Sequence, residues 1–236
     1  YDGSIYIGTG DDEDPHVLSL DAETGRLLWA YESESSGGAF NSPAIGWDGT
    51  VYIGFSDSDF GGIYALDGKT GVKKWSFDAG SFSPSSPVIG ADGTIYFSAA
   101  GNSYALDPTD GTKIWEFETE RNQLPQSSPA VAADGSLYVI SRKRLLALDS
   151  ANGSVKWEFA ISAHEIPIAD LKIGPDGKIY WVDINSEGNL RILAVQGSAG
   201  PADSPWPMFG KNGRNSKSFQ TKVHHVDDDA PEGGDG

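Results

Sequence analysis

Two repeated phrases predict an all-β chain, a β-propeller of four-stranded antiparallel blades, with about five blades or blade fragments in 236 residues. The first phrase is small-Leu-Asp, three residues, Gly, three residues, Trp. It occurs four times: SLDAETGRLLW (Ser19 to Trp29), ALDGKTGVKKW (Ala65 to Trp75), ALDPTDGTKIW (Ala105 to Trp115) and ALDSANGSVKW (Ala147 to Trp157). The second phrase is Asp-Gly before a β-branched and aromatic run, with its glycines at Gly3, Gly49, Gly93, Gly135 and Gly177. These glycines are 46, 44, 42 and 42 residues apart, close to the period of about 40 to 45 that a four-stranded blade needs. No segment shows a helical period capped at both ends, which argues against a parallel α/β fold.

The strand signals fall in a fixed order within each unit. The third unit reads SSPVIG (Ser85 to Gly90), the turn Ala91-Asp92-Gly93, TIYFSA, SYALD, a second turn, and TKIWEFE. Each run is short, apolar or alternating, and rich in β-branched and aromatic residues. Asp-Gly predicts a tight two-residue hairpin turn, since Gly adopts positive φ freely and Asp tolerates it. In the second turn, from Asp107 to Gly111 and its counterparts, the Asp carboxylate is placed to accept loop N–H groups and Gly to take the left-handed position. The ends depart from the pattern. Ser42-Pro43, Ser86-Pro87 and Ser128-Pro129 have no partner before Tyr1. The fifth unit has two strands, KIYWVDI and LRILAV, and then PADSPWPMFG (Pro201 to Gly210) in place of the Asp-x-x-x-Gly turn.

The organisation expected is therefore propeller blades over 1–198, a blade-closing Pro-Trp-Pro-Met-Phe segment over 199–218, and 219–236 as a closing-strand candidate followed by an acidic, disordered tail. The candidate closing strand is Phe219 to Val226, and the tail runs from Asp227 to Gly236. The chain begins at Tyr1 and in mid-blade, which reads as a processed or excised piece with further blades upstream.

The formal net charge is −17, from 34 acidic and 17 basic residues. So acidic a surface repels phosphate backbones, which argues against nucleic acid as a partner. Cysteine is absent, which excludes disulfides, cysteine nucleophiles and thiolate metal sites. No apolar run is long enough to cross a bilayer as a helix, so direct membrane insertion is not expected.

The phrase Ala65-x-Asp67-x-x-Thr70-Gly71-x-x-x-Trp75 resembles the tryptophan-docking motif of the pyrroloquinoline-quinone (PQQ) type β-propeller repeat family. The other three copies match it in slightly relaxed form, with Ser19, Asp110 and Asn152 as departures. The Ser-Pro strand and Gly49-Thr50-Val51-Tyr52 with Gly93-Thr94-Ile95-Tyr96 are also typical of that family, and the resemblance covers about residues 1–198. It implies structural docking roles for Asp21, Gly25, Trp29, Asp67, Gly71, Trp75, Asp107, Gly111, Trp115, Asp149, Gly153 and Trp157. The tryptophans would lie on outer strands against a neighbouring blade, each indole N–H meeting a backbone carbonyl. Ser204 to Gly210 is similar to stretches near the ends of such propellers, where Trp206 and Phe209 would plug the edge of the last blade.

The family also contains quinoprotein dehydrogenases, which bind PQQ and Ca²⁺ in the channel. Many alcohol-oxidising members carry a vicinal cysteine pair, which this chain lacks, and no Glu or Asn matches the calcium ligands. The resemblance thus carries over the architecture, with no catalytic, cofactor-binding or metal residue, and neither PQQ nor calcium is expected. Other members are non-enzymatic, including a lipoprotein of the outer-membrane barrel-assembly machinery.

Other chemistries find no support. Acids follow Gly8-Thr9-Gly10, and no helix does. His164-Glu165 lacks a second histidine, and His224 and His225 sit in a polar end segment. Asp11 to Asp14, Asp57-Ser58-Asp59 and Asp183 to Gly188 read as solvated turns. The last of these opens like a calcium loop, but its twelfth position is Ala194, where a carboxylate is needed. The expectation is a non-catalytic binding or scaffold module, secreted, periplasmic or at the cell surface of a prokaryote, with a protein partner or self-association. The alternatives are a fragment of a PQQ-dependent dehydrogenase and a self-associating structural subunit.

Overall fold

Five antiparallel sheets follow one another along the chain in the computed structural model. It describes residues 3–9, 17–32, 37–38, 41–57, 61–80, 84–99, 101–118, 127–141, 144–161, 166–167, 170–185, 187–205 and 207–208. Sheet one contains β1 (Ser4–Gly8), β2 (Val17–Asp21) and β3 (Leu27–Tyr31). Sheet two contains β4 (Gly37–Gly38), β5 (Ala44–Ile45), β6 (Thr50–Asp57), β7 (Gly61–Asp67) and β8 (Lys73–Asp78). Sheet three has β9 (Val88–Ile89), β10 (Ile95–Ala99), β11 (Asn102–Leu106) and β12 (Lys113–Phe117). Sheet four has β13 (Ala130–Val131), β14 (Ser136–Ser141), β15 (Arg144–Asp149) and β16 (Val155–Ala160). Sheet five has β17 (Ile166–Pro167), β18 (Lys172–Ile173), β19 (Lys178–Ile184) and β20 (Leu190–Gln196).

Apart from split leading strands, neighbours in sequence pair within each sheet, which is the up-and-down order of propeller blades. The leading strand of sheets two and five is split, with β4 and β5 both pairing β6, and β17 and β18 both pairing β19. Leading strands of adjacent sheets converge, β13 lying beside both β9 and β18, and so mark the hub. The Trp-bearing strands lie at the opposite edges, the rim.

The core is divided among the joints between sheets. Val17, Val51, Phe55 and Leu66 fill the first with Trp29, and Ile63, Trp75, Ile95 and Phe97 the second. Val88, Trp115, Leu137 and Leu148 fill the third, and Leu145, Leu171, Ile179 and Trp181 the fourth. Both faces of sheets two to four are covered, so β10 is buried at every position and the alternation of a one-sided sheet is lost. Sheets one and five keep it. β1 and β20 alternate between half-buried and exposed residues.

The Asp-Gly hairpin differs from the two-residue turn expected. Gly46 N–H donates to Thr50 O at 2.8 Å and Gly49 N–H to Gly46 O at 3.1 Å, which closes a three-residue loop. Gly49 carries the left-handed conformation, at φ 81°. The Asp side chain has another use: Asp48 Oδ1 accepts the Thr50 N–H at 2.9 Å. The same closure recurs at Gly90/Thr94, Ala132/Ser136 and Gly174/Lys178.

Candidate functional site

The repeated Asp builds the rim turn from within. Asp67 N–H donates to Val72 O, and Gly71 N–H returns to Asp67 O, both at 2.8 Å. Asp67 Oδ1 accepts from Lys69 N, Thr70 N and Thr70 Oγ1 at 3.0, 3.0 and 2.9 Å. Asp21 does the same with Glu23 N, Thr24 N and Thr24 Oγ1. The Thr hydroxyl and N–H groups hold both carboxyls below their ordinary value. Asp107 and Asp149 each accept one N–H, from Thr109 and Ala151. Thr70 and Thr24 have no hydroxyl counterpart there, and Asp110 and Asn152 instead accept from Thr112 and Ser154.

These turns are sockets for the sheet before. Trp29 Nε1 donates to Gly68 O at 2.8 Å, Trp75 Nε1 to Pro108 O at 3.0 Å, and Trp115 Nε1 to Ser150 O at 2.9 Å. Each acceptor is the residue after the turn Asp. The same carbonyls accept from Tyr6, Tyr52 and Tyr96, at 3.1, 3.5 and 3.1 Å. The indole lies flat on the turn glycine. A Cβ at Gly71, Gly111 or Gly153 would stand 2.6, 2.5 or 2.8 Å from the ring of Trp29, Trp75 or Trp115. Tyr and Trp of one sheet tilt together, with centroids 5.7 to 5.9 Å apart in all four pairs. Burial, with the charges of Asp48 and Asp107 adding to it, pushes the Tyr52 hydroxyl up to about 12.

The fourth joint is built differently because sheet five has no Asp-x-x-x-Gly turn. Gly197 N–H donates to Gly177 O at 2.9 Å, as Ser150 N–H does to Gly135 O. Ser198 then meets the sheet-four tyrosine, its Oγ 2.8 Å from the Tyr138 hydroxyl. Trp157 packs on Tyr138 but has no carbonyl partner among the described residues.

The end segment returns to the hub. Ala133 N–H donates to Gly200 O, Ala202 N–H to Val131 O, and Val131 N–H to Pro207 O, at 2.9 to 3.0 Å. Ala202 and Met208 are buried there, and Ser204 Oγ reaches Ile89 O in sheet three at 2.6 Å. Residues 200–202 and 207–208 thus add to the free edge of β13. The reason is that β13 offers unpaired backbone groups in a line. Trp206, Phe209 and the candidate closing strand Phe219 to Val226 lie outside the described residues.

Leading-strand residues meet around the hub. Ser42 N–H donates to Ser86 Oγ at 3.2 Å, and Ser128 N–H to Asp170 Oδ1 at 2.6 Å. Asn41 Nδ2 donates to Pro84 O. Asp183, which opens the calcium-like stretch, is fully buried on β19, and Arg191 holds both its oxygens, at 3.1 and 2.9 Å. Asn185 Oδ1 accepts from Glu187 N and Asn189 N and closes the hairpin. Asp11 to Asp14, Ser58, Asp59 and His164-Glu165 lie outside the described residues.

A groove of about 400 Å³ opens between sheets two and three, lined by Trp47, Asp48, Tyr52, Lys74, Pro108 and Thr109. Lys74 Nζ bridges Asp48 Oδ2 at 3.3 Å and Thr50 Oγ1 at 2.6 Å. Trp47 is 54% exposed. The sequence reading did not single it out, although a signal was present: the same loop position is Tyr1 in the first repeat but Ala91, Ala133 and Pro175 in the later three.

Calcium takes six to eight oxygen ligands, carboxylates prominent among them. The hub contacts use one serine hydroxyl, Ser86, and one carboxylate, Asp170, and no group of three or more His, Cys, Asp or Glu gathers among the described residues.

Sheet order, converging leading strands and rim sockets together define a propeller of PQQ-like repeats. The chain belongs to the family whose model, described as outer membrane protein assembly factor BamB, matches residues 2–173. Among solved structures it is similar to BamB from Moraxella catarrhalis, at 15% identity and a TM-score of 0.60, covering 80% of this chain and 65% of that one. It thus spans less than two thirds of that BamB chain. The computationally designed Ika8 protein aligns at 15% identity and a TM-score of 0.62, over 83% of this chain and 56% of that one. Quinohemoprotein alcohol dehydrogenase ADHIIG from Pseudomonas putida aligns at 20% identity and a TM-score of 0.56, over 83% and 41%. These likenesses are of fold. None of the curated proteins matches in sequence.

Proposed function

We propose that this chain is a non-catalytic propeller module that binds protein and serves as a scaffold, in a secreted or cell-envelope protein of a prokaryote. One observation carries the reading. At the first three joints the residues that make the family resemblance are engaged in holding sheet to sheet, as Trp75 is on Gly111 and Pro108. What remains for a partner is rigidly presented loop and groove surface, with Trp47 as an exposed aromatic anchor. The family supports it, since its model is described as an assembly factor.

Neither PQQ nor Ca²⁺ is a cofactor in this reading. The test is to mix the protein with both, remove free quinone, and follow absorbance and dye reduction with alcohols or sugars. Quinone that washes away and no dye reduction are expected. Retained quinone with turnover would overturn the proposal in favour of a dehydrogenase fragment.

A further inference from the structure

The groove between sheets two and three lies in the middle of the array. Sheet two meets sheet one at its other face, sheet three meets sheet four, and all the lining residues of the groove are among the described ones. Residues that hold blade to blade recur in every repeat, so departures from the repeat that gather at one joint point to a separate task. Three departures meet here. Trp47 stands where sheets three and four have Ala91 and Ala133. Lys74, next to the docking Trp75, stands where sheet three has Ile114; sheet four has Lys156 there, but no indole at the Ala133 position. Pro108 stands where sheets two and four have Gly68 and Ser150.

The lining carries one charge of each sign, Asp48 and Lys74, and they neutralise each other at 3.3 Å. In a chain of net charge −17 this wall is balanced, which favours a neutral ligand over an ion. Both charged side chains remain reachable, Asp48 63% and Lys74 36% exposed. Lys74 Nζ places two of its three N–H groups, on Asp48 Oδ2 and Thr50 Oγ1, and keeps one to donate. Thr109 adds a hydroxyl, and the exposed Trp47 an aromatic face. The backbone offers less. Gly46, Gly93 and Thr109 spend their N–H groups inside turns. Pro108 has no N–H, and its carbonyl already serves Trp75 and Tyr52. A peptide main chain finds these groups taken, so the polar groups of a ligand are met by side chains.

We propose that this groove binds a neutral sugar, a pyranose unit of an oligosaccharide, with the apolar face of the ring on Trp47 and its hydroxyls on Asp48, Lys74 and Thr109. A pyranose has an apolar C–H face and a rim of hydroxyls that both donate and accept. An indole bordered by a carboxylate, an ammonium and a hydroxyl answers each of those groups. The volume of about 400 Å³ is in the range of small-molecule sites. The inference deepens the scaffold reading, on which it rests for Trp47 as the anchor, by giving the partner a glycan at that point.

The test is titration of the full chain with neutral hexasaccharides of glucose, N-acetylglucosamine, galactose and mannose, followed by indole and amide NMR signals up to millimolar sugar. Hexagalacturonate and an arginine-rich hexapeptide serve as the anionic and cationic probes. At least one neutral sugar is expected to bind, about tenfold or more tightly than either charged probe. Trp47→Ala, the residue that sheets three and four carry, is expected to weaken binding about tenfold or more with an unchanged melting temperature. Lys74→Ile, the residue of sheet three, weakens it several-fold. No shift with any neutral sugar overturns the proposal. So does sugar binding that survives Trp47→Ala, or a charged probe that binds more tightly. The titration contains no quinone, so its failure leaves the scaffold reading standing, whereas retained quinone with turnover overturns that reading alone.

Discussion

An alanine at Gly111 and one at Gly25 impose the same backbone burden, and only the first meets a neighbour. Both glycines are left-handed, at φ 76° and 70°, where an L side chain costs roughly 1–2 kcal/mol. At Gly25 that is the whole effect, because the added Cβ meets nothing within 4 Å. At Gly111 the Cβ would lie 2.5 Å from Cε3 of Trp75, so the indole must move. Overpacking of this kind costs about 1–3 kcal/mol more. The Trp75 Nε1 bond to Pro108 O, 3.0 Å long, is put at risk as well, and adds about 1 kcal/mol if lost. Gly111→Ala is therefore expected to destabilise its joint by about 2–6 kcal/mol, against about 1–2 for Gly25→Ala. Repeat arrays open locally, so hydrogen exchange at the amides of β7 and β11 for the first variant, and of β2 for the second, is the appropriate readout. Equal losses at both sites would refute the docking role of the Trp75–Gly111 contact.

Trp115→Phe keeps an aromatic ring but removes the donor to Ser150 O, which retains Tyr96 as a partner. A loss of about 1 kcal/mol in urea denaturation is expected for the bond, plus a smaller packing loss. Arg191→Met leaves the fully buried Asp183 carboxylate without its counter-charge. A loss of about 3–5 kcal/mol is expected from thermal melts, largely recovered on adding Asp183→Asn. The Tyr52 hydroxyl, raised by burial to about 12, is an acid whose neutral form the fold favours. Its contribution is complete below its ordinary value of 10.0 and fades as pH rises towards 12. Alkaline unfolding of Tyr52→Phe, compared with wild type, should lack that component, and identical profiles would count against it.

Much of this architecture is written in short-range chemistry. The turn from Asp67 to Gly71 needs a carboxylate, a hydroxyl and a left-handed residue in consecutive order, so a single unit shows it. Four copies in register place four rim strands. The Asp-Gly loop was harder to read, because it spans three residues and Asp48 works through its side chain, which accepts the Thr50 N–H. Trp47 escaped notice because the repeat directs attention to positions held in common, and its position varies from Tyr1 and Trp47 to Ala91, Ala133 and Pro175.

The path of residues 200–205 and 207–208 was not legible. A Pro-rich apolar stretch after a strand states that something is covered, without stating which edge, and β13 lies about seventy residues earlier. The burial of Asp183 escaped for a similar reason. Its hairpin spacing suits a surface turn, while its partner Arg191 and its inward face follow from register with β20.

By itself the sequence determined the repeat, the turns and the residue types that each joint requires, because those depend on contacts among near neighbours and on periodicity. Tertiary structure decided which carbonyl Trp29, Trp75 and Trp115 each meet, where the end segment lies, and that no indole among the described residues stands on Gly25. Occupancy depends on what stands opposite a residue in the next sheet. Gly25 and Gly111 share one local motif, and only packing across the joint tells them apart.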